Sequence, residues 1–185
     1  MTGRYNVKEG KSDYAAENAA IVRAIESSKP ENQRGCYDPF AMKLLGTKYR
    51  IIGKSTLLAM VLFWLLGGRK FPGGCGEIIV RTRYIDEYLK ECIYSGIKQL
   101  VILGAGYDTR AYRFDELKGR TKVFEVDLPA IQKVKIGRLK KIFGFLPDHV
   151  VYVPIDFDKE KLDKRLFESG YDRNLKTLFI WEGVT

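Results

Sequence analysis

The sequence predicts an α/β fold, a doubly wound parallel sheet behind an N-terminal helical cap. Three observations predict it. Short apolar runs recur at residues 100–103, 122–126, 150–153 and 177–181, the length and spacing of strands. Segments of helical pattern separate them, and strands alternating with helices form a parallel sheet with right-handed crossovers that put helices on both faces. The first run, which has no polar alternation and so suits a strand buried on both faces, ends abruptly at Gly104-Ala105-Gly106. Glycine permits positive φ and lacks a Cβ, so this pair allows a sharp turn and a close approach to bare peptide.

The elements follow in order. Residues 15–28 carry an apolar stripe at 15, 19, 22 and 25, which predicts a helix ended by Pro30. Asp38-Pro39 reads as an N-cap and first turn of a short helix that Gly46 closes. Residues 56–66 (TLLAMVLFWLL) are wholly apolar, but eleven residues are too few for a membrane span of about 20, so a buried helix or a substrate-facing lid is expected. FPGGCG at 71–76 reads as a flexible breaker between a helical cap or lid, residues 1–75, and a nucleotide unit, residues 76–185. Residues 77–95 form a long amphipathic helix on the stripe Ile78, Ile85, Tyr88 or Leu89, and Cys92. A short helical or turn segment at 109–118 and helices at 129–143 and 159–169 connect the four strands.

Composition limits the function classes. A chain of 185 residues that is 45% hydrophobic buries one sizeable core. Its formal charge of +9 would suit an anionic partner. The densest basic segment, however, Lys133, Lys135, Arg138, Lys140 and Lys141, occupies more than one side of a helix without interleaved aromatics, so it reads as a solvated surface. Neither nucleic acid nor membrane is expected as a partner. Three widely spaced cysteines, no CxxC and a single histidine argue against zinc and against a disulfide framework, and with a polar start point to a reducing, cytoplasmic compartment.

The second strand delivers Glu125 and Asp127 about 20 residues beyond the glycine turn, the spacing at which nucleotide folds place a ribose-binding carboxylate. Asp127 also precedes Leu128-Pro129 and reads equally as a helix cap. The groups singled out all fall at carboxyl ends of strands: the glycines after the first, Asp127 after the second, Asp156 after the third and Glu182 after the fourth. That is where open α/β sheets bind ligands.

LGAGYDTRAYRF, FEVDLP, VPIDF and WEGVT, with VRTRYIDEYL upstream, resemble the S-adenosylmethionine-dependent methyltransferases related to leucine carboxyl methyltransferase, including their O-methyltransferase branch. The likeness covers nearly the whole chain. It implies a Rossmann-like sheet that binds S-adenosyl-L-methionine. Arg81 would hold the methionine carboxylate, with Arg83 as its neighbouring substitute, and Gly104, Ala105 and Gly106 would take the methionine and ribose portions against the backbone. Asp127 would bind the ribose hydroxyls, with Glu125 in reserve. Asp156 would accept from the adenine amino group while the Phe157 N–H donates to the ring, and Glu182 would lie near the reacting end. No catalytic base is identified. Tyr107, Asp108 and Arg110 are read as braces of the turn, with Arg110 alternatively a partner for an acidic substrate.

The reaction implied is methyl transfer to a carboxylate or hydroxyl on a small molecule or a peptide C-terminus. A nicotinamide or flavin oxidoreductase is the rival enzyme class, although Thr109 stands where its third glycine would be. A non-catalytic cofactor-binding remnant is the other alternative. The family's chains carry further strands after WEGVT, so the sheet is expected to be incomplete at its C-terminal side. Such an apolar edge is a liability, which implies a fragment, or completion by another chain, and leaves room for self-association through the open edge.

Overall fold

Leu100, Val101 and Ile102 offer only their backbones as polar partners, so the segment is stable where neighbouring strands take its hydrogen bonds and helices cover both its faces. A computed structural model, which describes residues 9–46 and 74–183 with the side chains of 9–14 aside, has this arrangement. Strand β1 (Gln99–Leu103) lies between β2 (Lys122–Asp127) and β4 (Thr177–Trp181), with β3 (Val150–Pro154) outside β2, and every pairing is parallel. Leu103 is level with Val126 and Trp181, and Asp127 with Pro154, so the carboxyl ends of all four strands meet at one rim.

Alternate strand residues feed two cores. On one face Leu100, Ile102 and Val123 pack with helices α1 (Glu9–Ser27), α2 (Ala41–Leu44), α3 (Gly74–Tyr94), α4 (Arg110–Arg113) and α5 (Pro129–Phe143) through Ala20, Leu44, Leu89, Ala111 and Leu139. On the other, Val101, Phe124, Val126 and Val153 pack with Leu166 of α6 (Leu162–Glu168). The chain reverses its direction across the sheet between β3 and β4, which makes the crevice between β1 and β4 the topological switch point. The architecture is the α/β, Rossmann-like sheet that the sequence predicts.

Several boundaries differ from expectation, each for a local reason. Helix α1 begins at Glu9, ahead of its apolar stripe. Helix α3 begins at Gly74, so residues 74–76 of the expected breaker are helical. Residues 71–73 and the apolar stretch 56–66 lie outside the described residues. Helix α6 starts at Leu162, not 159, because the Lys159 and Glu160 amides both donate to the Asp156 carbonyl (2.9 and 2.8 Å) and close a turn first. The basic segment on α5 is only partly solvated. Lys133, Lys140 and Lys141 are exposed, but Lys135 is 1% exposed, and Arg138 donates to the Leu44 carbonyl at 2.7 Å.

Strand β4 lies at a sheet edge, with Phe179 and Trp181 47% and 71% exposed. Among the described residues no helix is long and apolar enough to cross a membrane.

Candidate functional site

The glycine turn leaves β1 with Gly104 at φ 61° and Gly106 at φ 38°, both in the left-handed region that side chains disfavour. Its peptide groups are held from three sides. The Ala105 amide donates to the Val126 carbonyl (3.0 Å), and the Asp108 amide returns to the Ala105 carbonyl (2.7 Å). The Gly106 amide donates to Asp127 Oδ2, while Asp127 Oδ1 accepts from the Leu128 amide at 2.6 Å. Asp127 therefore joins the end of β2 to the turn after β1, but it does not cap α5 as its position suggests: the N-cap is Leu128, and Asp127 reaches only the Leu128 amide, outside the helix. Burial raises its pKa, against the opposing pull of the two amides.

Helix α1 also packs closely on the turn. A Cβ on Gly106 would stand 3.0 Å from the Ala16 Cβ on α1. Arg23, also on α1, donates through Nη2 to the Tyr107 carbonyl (2.7 Å) and through Nε to Asp38 (2.9 Å). Asp38 in turn accepts from the amides of Phe40 and of Ala41, the first residue of α2; the helix starts later than the sequence suggests, with Phe40 and not Asp38 at the N-cap position. Arg23 is not among the residues that the sequence motifs mark; its one signal there is a lone cation within the apolar run AAIVRAI. Gly106→Ala is expected to lower stability by about 1–2 kcal/mol from the left-handed backbone alone, and more if α1 must shift. A urea midpoint equal to that of the parent would show that the contact is slack.

A charged cluster stands at the switch point. Arg110, 3% exposed, donates to Asp86 (2.8 Å), to Asp108 and to Glu182 (2.6 Å), and Arg113 donates to Asp86 at 2.6 Å. Burial opposes the charge on Arg110, but Asp108, Glu182 and Asp86 outweigh it and raise its pKa. Burial likewise opposes ionisation of Asp108, but Arg110, Lys135 and Arg23 together hold its carboxyl well below the usual range. Arg110 thus braces the turn, and the alternative of pairing with an acidic substrate is disfavoured by its three internal carboxylate partners.

Arg81 reaches the same cluster. Its Nε donates to Glu182 (3.0 Å) and its Nη1 to Glu77 (3.1 Å), and it stays partly open to solvent. Arg83 points to Glu87 on the helix exterior (2.8 Å). Of the two arginines in VRTR it is therefore Arg81 that meets the end of β4. Asp156 follows β3, one residue beyond Ile155, whose amide donates to the Asp127 carbonyl at 2.9 Å. Its carboxylate pairs with Lys159 (2.7 Å) and accepts from the Asp158 amide, and Phe157 is exposed beside it. The rim therefore carries Gly104, Ala105, Gly106 and Asp127 as one bonded group and Arg81 with Glu182 as another, linked through Arg110 and Asp108, with Asp156 and Phe157 farther along on the β3 side. Glu125 lies below this rim, 1% exposed, with Lys135 Nζ 2.8 Å from Oε2 but off the hydrogen-bond direction, so the two are paired by charge. It is shielded from any ligand that Asp127 could meet.

The residues present suit a nucleoside bearing an amino-acid head. Arg81 and Glu182 form an opposite-charge pair at the mouth, matching a carboxylate and an ammonium, and Asp127 offers a carboxylate at the bend where a ribose would approach the backbone.

Comparison with known proteins gives the same direction. A family model described as leucine carboxyl methyltransferase matches residues 16–185. A Mycobacterium ulcerans protein named "Putative S-adenosyl-L-methionine-dependent methyltransferase" is 40% identical over 178 residues, covering 93% of this chain and 58% of its own length. A Mycobacterium avium protein of the same name is 37% identical, covering 91% and 53%. Bacillus subtilis YktD, named likewise, is 40% identical over 107 residues, covering 58% and 35%. The chain spans about half the length, or less, of the curated relatives it matches.

Proposed function

The chain belongs to the leucine carboxyl methyltransferase family, and from that premise we infer that it is the cofactor-binding part of an S-adenosyl-L-methionine-dependent O-methyltransferase. The observation that carries this reading is the convergence, at one sheet rim, of the glycine turn bonded to Asp127 and the Arg81–Glu182 pair. Arg81 binds the methionine carboxylate, where a planar guanidinium suits a bidentate contact. Glu182 takes the ammonium, Gly104 to Gly106 lie against the methionine and ribose portions, and Asp127 accepts from the ribose hydroxyls. Asp156 and the Phe157 amide meet the adenine edge.

A methyl sulfonium supplies an electrophilic carbon with a neutral thioether as leaving group. The chain's own contribution is placement, which can lower a barrier by about 7–11 kcal/mol. Proton transfer is not the strength of this site. Asp108 is held ionised by Arg110 and is a weak base for that reason. Burial, followed by Glu125 and Tyr152, raises the pKa of Tyr112, while burial pushes Tyr152 up to about 12, so neither phenol supplies a phenolate at neutral pH. An acceptor that arrives already ionised needs no base, so a carboxylate on a small molecule or peptide C-terminus is favoured over a hydroxyl.

Calorimetry tests the reading. S-adenosylhomocysteine is expected to release heat on titration into the chain, and NAD none. Arg81→Met is expected to weaken S-adenosylhomocysteine by about tenfold or more, as loss of a charge-assisted hydrogen bond of about 1.5–3 kcal/mol requires. Heat with NAD alone would replace the methyltransferase with an oxidoreductase.

A further inference from the structure

The buried ion pair Glu125–Lys135 has no part in the reading above, and its place is unusual. Lys135, on α5, is as deeply enclosed as any apolar core residue, with its ammonium 2.8 Å from Glu125 Oε2, 5.5 Å from the centre of the Tyr112 ring and 3.4 Å from the Ala105 carbonyl, at the long end of a hydrogen bond. Stability does not account for it. Enclosing two such ions costs several kcal/mol each, and well-packed apolar residues at the same positions are often neutral or stabilising. What an apolar side chain cannot do is donate to a carbonyl.

That carbonyl belongs to the middle residue of the glycine turn. The Ala105 amide is tied to β2 through Val126, and the Ala105 carbonyl, in the next peptide group, accepts from the Asp108 amide and takes the ammonium as a second donor, so both peptide groups flanking Ala105 are held. Glu125 stands on β2 two residues before Asp127, and the Gln132 side chain of α5 donates to the Glu125 carbonyl (3.0 Å), which ties helix and strand together at that level. The ammonium is also near enough to Asp108 and Asp127 to favour their ionised forms. Lys135 thus adds a contact at Ala105 to the anchors that Asp127, Arg23 and Arg110 supply elsewhere in the turn.

We propose that Lys135, kept in place by Glu125, is a positioning residue that holds the Gly104–Gly106 turn in its ligand-receiving shape. The proposal rests on the reading of that turn as the cofactor cradle. The test separates positioning from core stability in the full 185-residue chain. Lys135→Met alone strands a buried carboxylate and is expected to unfold at lower urea. The double variant Glu125→Met/Lys135→Met removes both charges and is expected to recover the parent's urea midpoint. It is nevertheless expected to bind S-adenosylhomocysteine at least tenfold more weakly by calorimetry, with faster amide hydrogen exchange confined to residues 104–109. A double variant that binds within twofold of the parent, or that does not regain the fold, makes the pair a core element only and overturns the proposal. If the parent gives no heat with S-adenosylhomocysteine, the cofactor reading falls. Exchange in the ligand-free double variant then decides whether the pair still holds the turn, and unchanged protection at 104–109 overturns that as well.

Discussion

Arg110→Met is expected to lower the stability of the chain by about 3–5 kcal/mol, the usual consequence of removing one member of a buried ion pair and leaving its partner uncompensated. Here three carboxylates lose the same cation. Asp86, Asp108 and Glu182 come from α3, from the turn after β1 and from the end of β4, and Arg110 is what allows them to approach one another. Against a typical domain stability of about 5–15 kcal/mol the loss is a large fraction. The pH dependence gives a second signature. In the parent, Asp108 has a depressed folded pKa, so its contribution is present above its unfolded value near 4 and is lost as pH falls towards the lower folded value. In the variant Asp86 keeps Arg113 and Glu182 keeps Arg81, but all three carboxylates lose their shared cation and Asp108 loses its main one, so protonation relieves them. The deficit between variant and parent should therefore be greatest near pH 7 and narrow as pH falls through the carboxylate range. Urea unfolding followed by circular dichroism at several pH values measures both. Equal midpoints at pH 7 would remove Arg110 as the hub of the switch point.

The contrast between Arg110 and Lys135 marks how far the sequence can be read. The strand cores were legible because LVIL is wholly apolar and VFEV is apolar but for Glu125, over a length that suits a covered strand, and α5 has the expected bounds 129–143, with Pro129 at its start and Gly144, at φ 80°, as its C-cap. The turn was legible because two glycines around one alanine permit the positive φ that Gly104 and Gly106 adopt, and the pairing of Asp127 with that turn fits its spacing. Arg110 was read correctly as a brace, since it follows the turn directly. Lys135 was misread as solvated surface, because a charge on a helix reveals its side only when the partner is known. Glu125 lies ten positions away on another element. The one available sign was Glu125 itself, a charge flanked by Phe124 and Val126 in a strand expected to be buried on both faces, which demands a cation from somewhere. Boundaries such as the start of α6 were illegible for a simpler reason. A turn closed on the Asp156 carbonyl and a first helical turn have the same composition.

Asp127→Ala is expected to raise the dissociation constant for S-adenosylhomocysteine by about 100-fold or more. Two hydrogen bonds from vicinal hydroxyls to an ionised carboxylate are worth about 1.5–3 kcal/mol each, and the substitution also frees the Gly106 and Leu128 amides that shape the bend. Asp127→Asn separates the two contributions. It keeps one oxygen acceptor and most of the shape but loses the charge, so it should bind better than the alanine variant and worse than the parent. Protonation supplies an independent check. Burial raises the pKa of Asp127 in the folded chain, and the hydroxyls need its ionised form, so affinity should fall as pH drops through a value above the ordinary aspartate range. The asparagine variant has no proton to gain there, and its affinity should be flatter with pH over the same interval. Calorimetric titrations of parent and both variants from pH 7 downwards measure all of this. A folded Asp127→Ala chain that binds like the parent would move the ribose contact to another residue, and with it the reason for the bend's attachment to β2.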